Sequence, residues 1–270
     1  MAQRTVDSEN DESATAVAES KKMGIERVAV IGSGVMGAGI AAHCANAGCE
    51  VLLLDIVPKG AENRDELASG AISRMLKSNP EMLMHKGSVE RISAGNIEDD
   101  LPRLKEFDWV VEVIIENLEI KRNLYVNLAE HLGAKTILSS NTSTLPRSAL
   151  THGMPHDIAS RFLITHFFNP PRYLPLLEVV AGPEVDDDVL NRFTEFADMG
   201  LGKRVTMCND TPGFIGNRLG VYFVQRAIVA TLEHGFSVEQ ADAMLGRPIG
   251  LPKTAVFGLM DLVGIDLIPH

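Results

Sequence analysis

The sequence predicts an α/β chain: a doubly wound, mostly parallel sheet followed by a smaller, all-helical region. Three observations predict it. Short apolar runs at 28–31, 51–54 and 109–115 read as strands covered on both faces. Helical stretches separate them, and that alternation is the mark of an α/β sheet. Beyond the turn-rich Asn209-Asp210-Thr211-Pro212-Gly213 the pattern becomes helical throughout.

The first run stops at Gly32-Ser33-Gly34-Val35-Met36-Gly37, a G-x-G-x-x-G, and a small-residue helix follows from Ala38 to Ala47. Gly48 closes that helix, and the second run ends on Asp55, 23 residues after Gly32. Strand, glycine loop, helix, strand and terminal acid make the Rossmann-type dinucleotide-binding fingerprint. Its parts have separate jobs. Gly32 permits the tight turn, Gly34 lets the backbone approach a pyrophosphate, and Gly37 lets helix and strand pack closely. The helix start, at Val35 and Met36, offers unpaired N–H groups and partial positive charge to phosphates. A carboxylate at Asp55 would accept hydrogen bonds from the adenine ribose and repel a 2′-phosphate, which points to NAD rather than NADP.

Further along, 60–78 reads as a helix broken at Asn79-Pro80, and 81–86 as a second helix. Arg64, Arg74, Lys77 and Lys86 lie on this excursion; singly each suits a solvated face, and together they are the nearest thing to a phosphate-binding patch. A short strand fits 91–93. The stronger strand at 109–115 carries Glu112, with no evident partner, and ends at Glu116-Asn117. A helix over 120–132, a strand at 136–139 and the polar loop Ser140-Asn141-Thr142-Ser143-Thr144 follow. In an open parallel sheet, loops at the carboxyl ends of strands meet the ligand, which singles out Glu116 and Ser143. A strand at 161–165 delivers His166, Asn169-Pro170-Pro171 turns the chain, and a strand at 176–180 carries Glu178. A helix over 187–199 and a strand over 203–207 complete this part. Helices over 214–234, 238–245 and 254–262 make the second region, the first with apolar positions Phe214, Leu219, Phe223, Ile228 and Leu232. The expected domains are a disordered polar tail over 1–23, a dinucleotide-binding domain over 24–207 and a helical domain over 208–270.

Composition narrows the function. A chain of 270 residues, 45% hydrophobic and 23% charged, is that of an ordinary soluble globular protein. A formal charge of −11 and the lack of an arginine-rich cluster argue against nucleic acid as a partner. Glycines, His43, Asn46 and Glu50 interrupt the apolar stretch 28–54, so no membrane insertion is expected. Cys44, Cys49 and Cys208 have no metal spacing and read as reduced, buried thiols; with no leader pattern, the expected location is cytoplasmic. Chemistry centres on His166. A histidine at a strand end is more often structural than catalytic, but Glu178 lies 12 residues on, across a turn. If the two strands lie side by side, a carboxylate can fix the imidazole tautomer and stabilise the imidazolium.

GSGVMGAGIA, VVEVIIENLEIK, SSNTSTL, HFFNPPRYLPLLEVV and NDTPGFIGNRL, in this order, resemble the L-3-hydroxyacyl-CoA dehydrogenase family of fatty-acid β-oxidation. The resemblance implies an NAD-dependent enzyme that oxidises a 3-hydroxyacyl-CoA, with His166 as general base and Glu178 as its orienting partner. It implies that Ser143 bonds the substrate oxygen near the nicotinamide and that Asn217 holds substrate and histidine. Glu116, Lys121 and Asn169 are implied to line the cofactor cleft, and the excursion after the second strand to bind coenzyme A. It also implies further C-terminal helices, so the chain reads as shortened, and a homodimer or a larger β-oxidation assembly is the implied partner. The residues by themselves would equally serve a dehydrogenase of a small hydroxy acid or sugar acid. An NAD-binding protein without turnover is the reading from another class.

Overall fold

The computed structural model describes residues 24–263, so the tail expected over 1–23 and the last residues, 264–270, lie outside the described residues. The chain divides into two compact units, 1–210 and 211–270.

The first unit is built on eight strands. In chain order its elements open with Arg27–Ile31 (β1), Val35–Asn46 (α1), Glu50–Asp55 (β2), Glu66–Met75 (α2), Ile92–Asn96 (β3) and Trp109–Glu112 (β4). They continue with Leu118–Ala129 (α3), Ile137–Ser140 (β5), Arg147–Thr151 (α4), His156–Ala159 (α5) and Phe162–Phe167 (β6). Leu176–Val180 (β7), Asp187–Glu195 (α6) and Arg204–Met207 (β8) complete the unit. The sheet order is β3-β2-β1-β4-β5-β6-β7-β8, parallel at every pairing except β6 with β7. From β1 the chain goes to β2 on one side, while β4 lies on the other, so the strand order reverses between β1 and β4. Ligands of open α/β sheets bind at that point, outside the carboxyl ends. The carboxyl ends of β1, β2, β4, β5 and β6 deliver the glycine loop, Asp55, Glu116, Ser143 and His166 to one edge.

The strands are apolar because both faces are covered. Leu52, Leu53 and Leu54 are fully buried, each contributing about 2 kcal/mol of burial. α1 shows little amphipathy for the same reason: Gly37, Ala38, Gly39, Ile40, Ala41 and Ala42 are all buried, which lets the helix sit close on the sheet. Trp109 anchors the centre, with Phe193 edge-on at 5.1 Å and its indole N–H donating to Ser139 Oγ at 2.8 Å.

Several expectations need correction. The helix of 60–78 is confined to α2, and no α-helix forms over 81–86. There the chain runs irregularly into a 3₁₀ turn at Lys86–Arg91, capped by the His85 ring accepting from the Gly87 amide. Pro80 and Gly87 leave too few consecutive residues for an α-helix to propagate. The strand at 91–93 extends to Asn96, paired with all of β2 from Val51. β4 is shorter than 109–115: Val113 still donates to Ile31 at 2.8 Å, but the Ile114 amide turns to the Glu112 carboxylate. The helix of 187–199 is α-helical to Glu195 and closes in a π turn over Phe196–Gly200.

In the second unit, Gly216–Glu233 (α7), Val238–Leu245 (α8) and Phe257–Val263 (α9) are the helices. α7 starts later than the expected 214 because Phe214 takes a left-handed conformation, φ 45°, after Pro212-Gly213. α8 opens with a reciprocal capping box between Ser237 and Gln240. The Asp242 carboxylate accepts from the amides of Val256, Phe257 and Gly258, which fixes the start of α9 at 257 rather than 254. Much of the apolar surface expected on α7 stays exposed: Leu219 at 63% and Leu232 at 76%, while Phe214 is buried. Among the described residues, no helix is long and apolar enough to cross a membrane.

Candidate active site

The three glycines of the loop differ in what constrains them. Gly32 has φ +108°, and a Cβ there would lie 2.5 Å from the Val113 carbonyl oxygen. At Gly37 a Cβ would lie 1.8 Å from the Gly32 carbonyl oxygen. Gly34 is otherwise: φ is −65° and no protein atom lies within 4 Å of an added Cβ. Nothing in the protein requires a glycine at 34, so the open space above it fits a dinucleotide pyrophosphate brought up to the backbone. Val35 is 65% exposed beside it, whereas Met36 packs partly into the core. A cavity of about 640 Å³ opens here, lined by Ser33, Gly34, Val35, Arg74 and Lys77. Of the basic cluster, Arg74 and Lys77 thus reach it. Arg64 does not, because its guanidinium is held by Glu98 and Asp99 at 2.7 Å each.

Asp55 faces the loop. Its Oδ2 accepts from the Ser33 amide at 2.6 Å and the Ser33 hydroxyl at 2.5 Å, and Oδ1 from the Ile56 amide at 2.8 Å. The carboxylate is thereby fixed at the end of β2, and Ser33, the variable residue of the motif, takes part in fixing it.

Glu112, without a partner in the sequence, is fully buried and saturated with donors. Lys121 Nζ, the Tyr125 hydroxyl and the Ser140 hydroxyl lie at 2.6 Å, and the Ile114 amide at 2.8 Å. Burial, then the Glu112 charge, pushes the Tyr125 phenol well above its ordinary value. Lys121 is 1% exposed and also reaches Glu116 at 3.3 Å, so its ammonium stands behind Glu116 rather than at the surface of the cleft. Glu116 gathers the loop after β5: it accepts from the Thr142 hydroxyl, the Ser143 amide at 3.2 Å, and the Thr144 amide and hydroxyl. Burial raises its pKa, but the Thr142 hydroxyl, the Lys121 charge and the Thr144 donors outweigh it, and the net shift is downward. Ser143 is therefore placed by Glu116, which follows the neighbouring strand β4, and Thr142 and Thr144 serve the site from positions the motif alone did not single out.

His166 and Glu178 are directly opposed in the antiparallel β6–β7 pair, which puts both side chains on one face. Nδ1 lies 2.8 Å from Glu178 Oε2. His166 is 5% exposed and Glu178 is fully buried. A carboxylate on Nδ1–H assigns the proton to that nitrogen and leaves Nε2 as the basic one. The Phe168 ring tilts against the imidazole at 4.5 Å. Asn169 follows in the turn and shares a cavity of about 250 Å³ with Val35, Gly39 and Pro171. Asn217 belongs to the second unit, on the first turn of α7, where it lines an apolar cavity of about 440 Å³ with Gly216, Gly220 and Phe223.

A glycine loop open to a pyrophosphate and a buried His–Glu pair on the same sheet edge define the class of an NAD-dependent oxidoreductase. Two family models match the chain: the NAD binding domain of 3-hydroxyacyl-CoA dehydrogenase over 27–211 and its C-terminal domain over 213–270. The chain belongs to the 3-hydroxyacyl-CoA dehydrogenase family. It is 44% identical over 248 residues to a "Probable 3-hydroxyacyl-CoA dehydrogenase" of Deinococcus radiodurans, covering 92% of this chain and 72% of that protein. A protein of the same name in Bacillus subtilis is 43% identical over 91% of this chain, which spans about a third (33%) of that relative's length. The crystal structure of (S)-3-hydroxybutyryl-CoA dehydrogenase from Ralstonia eutropha aligns with TM-score 0.76 and 27% identity, over 91% of this chain and 84% of that one.

Proposed function

We propose that the chain oxidises a (3S)-3-hydroxyacyl-CoA to the 3-oxoacyl-CoA, a step of fatty-acid β-oxidation. The observation that carries this reading is the 2.8 Å His166–Glu178 pair on the edge that holds the glycine loop. His166 Nε2 takes the proton of the 3-hydroxyl, and Glu178 compensates the positive charge that grows on the ring. The Ser143 hydroxyl bonds the reacting oxygen, and Asn217 holds the substrate. The glycine loop from Gly32 through Val35 and Met36 to Gly37, with Asp55, Glu116 and Asn169, holds NAD, while Lys121 steadies Glu116. Bound NAD⁺ supplies the hydride acceptor. Arg74 and Lys77, lining the cavity beside the loop, meet the phosphates of coenzyme A.

Exposed apolar side chains on α7, Leu219, Tyr222 and Leu232 among them, suit a homodimer or a larger β-oxidation assembly. Three buried free cysteines suit a cytoplasmic location. NADH formation from short and long 3-hydroxyacyl-CoA esters tests the reading, with free 3-hydroxy acids and a sugar acid as controls. The esters should turn over and His166→Gln should lower turnover by roughly 10²–10⁴-fold, the range of general-base catalysis. Near-normal turnover by that variant, or preference for the free acids, would reject it.

A further inference from the structure

Three prolines in seven residues, Pro170, Pro171 and Pro175, mark the segment 169–175 between β6 and β7. Each removes a backbone donor, so the segment cannot build a ladder of its own. Its internal backbone–backbone bonds are two, from the Tyr173 and Leu174 amides to the Pro170 carbonyl at 3.0 and 3.1 Å. Buried carbonyls left over need donors from elsewhere. Lys203 supplies them. Its ammonium, 2% exposed, donates to the carbonyl of Pro171 and to that of Leu174 at 2.8 Å, and stands 5.7 Å from the Phe167 ring centre. Among the described residues no carboxylate pairs with it.

The segment so held is a wall of the site. Pro171 presses on α1, where a Cβ at Gly39 would come within 2.9 Å of its Cδ. Arg172 reaches the other way, its guanidinium donating to the Glu81 carbonyl at 2.7 Å and the Leu83 carbonyl at 3.2 Å. We propose that Lys203 is a positioning residue for the reaction: by clamping the Pro171 and Leu174 carbonyls it sets the wall that carries Asn169 and joins the two strands of the His166–Glu178 pair. This rests on the dehydrogenase reading above.

A buried ammonium without a carboxylate is a conditional clamp. Burial pushes the Lys203 pKa down to about 8, with Cys44 acting weakly in the opposite direction. The other groups around it are His43, which burial holds neutral, and Arg172 of the segment, so no neighbouring anion restores the charge. The clamp weakens as the ammonium loses its proton, and its three charged donors become two neutral ones.

The test uses the full chain with NAD⁺ and 3-hydroxybutyryl-CoA, in the wild type and in Lys203→Met and Lys203→Arg, across pH 6.5–10. Lys203→Met should lower kcat at least about tenfold and weaken NAD binding, with the ester KM changed less than about twofold. The wild type should lose kcat/KM above a pH of about 8. That limb should vanish in Lys203→Met and move beyond the measured range in Lys203→Arg, whose guanidinium keeps its charge. Hydrogen exchange of the Tyr173 and Leu174 amides, read in the same folded samples, should quicken at least about tenfold in Lys203→Met. An unchanged alkaline limb in Lys203→Met, or unchanged exchange of those two amides, overturns the proposal. If no form, wild type included, oxidises the ester, the dehydrogenase reading fails instead. The clamp is then decided by NAD affinity and the two amides alone.

Discussion

Glu112 and Lys121 form a fully buried ion pair, Nζ to Oε1 at 2.6 Å, between the end of β4 and the first turn of α3. The pair ties the strand that leads to the cofactor edge to the helix that supports it. Removing one member of such a pair strands a charge without removing its desolvation cost. Lys121→Met should therefore destabilise the fold by about 3–5 kcal/mol, read as a shift in the denaturant midpoint. Glu112→Gln combined with Lys121→Met should recover part of that loss, because a neutral amide keeps most of the remaining contacts. A single variant as stable as wild type would show that the pair contributes nothing.

The loop glycines separate folding from binding. Gly37→Ala drives a methyl into the Gly32 carbonyl, 1.8 Å away, and should lower the melting temperature steeply or abolish soluble protein. Gly34→Ala meets no protein atom, so its melting temperature without ligand should match wild type. NAD binding should weaken at least about tenfold, that is by about 1.4 kcal/mol. Calorimetric titration decides it: undiminished NAD affinity in Gly34→Ala would mean that the pyrophosphate lies elsewhere.

Asp55 is held at the end of β2 by Ser33 and the Ile56 amide, and is proposed to meet the ribose hydroxyls. A marked preference for NAD⁺ over NADP⁺ is expected, and Asp55→Ala should shrink it by removing both the acceptor and the repulsion of a 2′-phosphate. Equal kcat/KM with the two cofactors in the unmodified protein would count directly against this assignment.

His43 makes stability depend on acid. Its Nε2 lies 3.0 Å from the Leu201 carbonyl, and Nδ1 is buried with no partner among the described residues. Burial first, then the Lys203 charge, pushes its pKa from 6.5 down to about 4 against the opposing Leu201 carbonyl. Between those values the unfolded chain binds more protons than the folded one. The stability His43 confers is thus complete above 6.5 and is lost as pH falls toward 4. His43→Asn should lose less of its stability than wild type between pH 6.5 and 4.5, measured by chemical denaturation at each pH. Parallel curves would assign the acid sensitivity to other groups.

How much of this was legible in the sequence varied with how local the cause was. Val28 to Ile31 and Val51 to Leu54 announce covered strands because both faces must be apolar, and β7 falls on 176–180 as read. The glycine loop was legible because G-x-G-x-x-G between an apolar run and a small-residue helix is a local pattern, although the Val113 carbonyl that crowds Gly32 comes from beyond β4. Glu112 was not, since its donors stand at 114, 121, 125 and 140, on different elements that only the sheet brings together. The helix misread at 81–86 shows the limit of composition, because Met82 and Leu83 are held by neighbours on α1 and the 169–175 segment rather than by a helical turn. Lys203 gave no signal at all: a lysine after a glycine reads as surface, and only the missing amides of three distant prolines explain its burial.

The one antiparallel pairing also sets an order of events. Across it, Phe167 faces Leu177, 10 residues apart in the chain, whereas β1 and β4 align Val28 with Trp109, 81 residues apart. Closing the longer loop costs about 2 kcal/mol more in chain entropy. The hairpin that carries His166 and Glu178 is thus the least demanding non-local contact in the sheet, and should form among the earliest during refolding. In pulse-labelled refolding, the His166 and Glu178 amides, which face each other across this pairing, should gain protection before the Val113 amide, which donates to Ile31. The pair proposed to carry the chemistry would then be a founding contact of the fold, already in register before the edge that holds the glycine loop has closed around it.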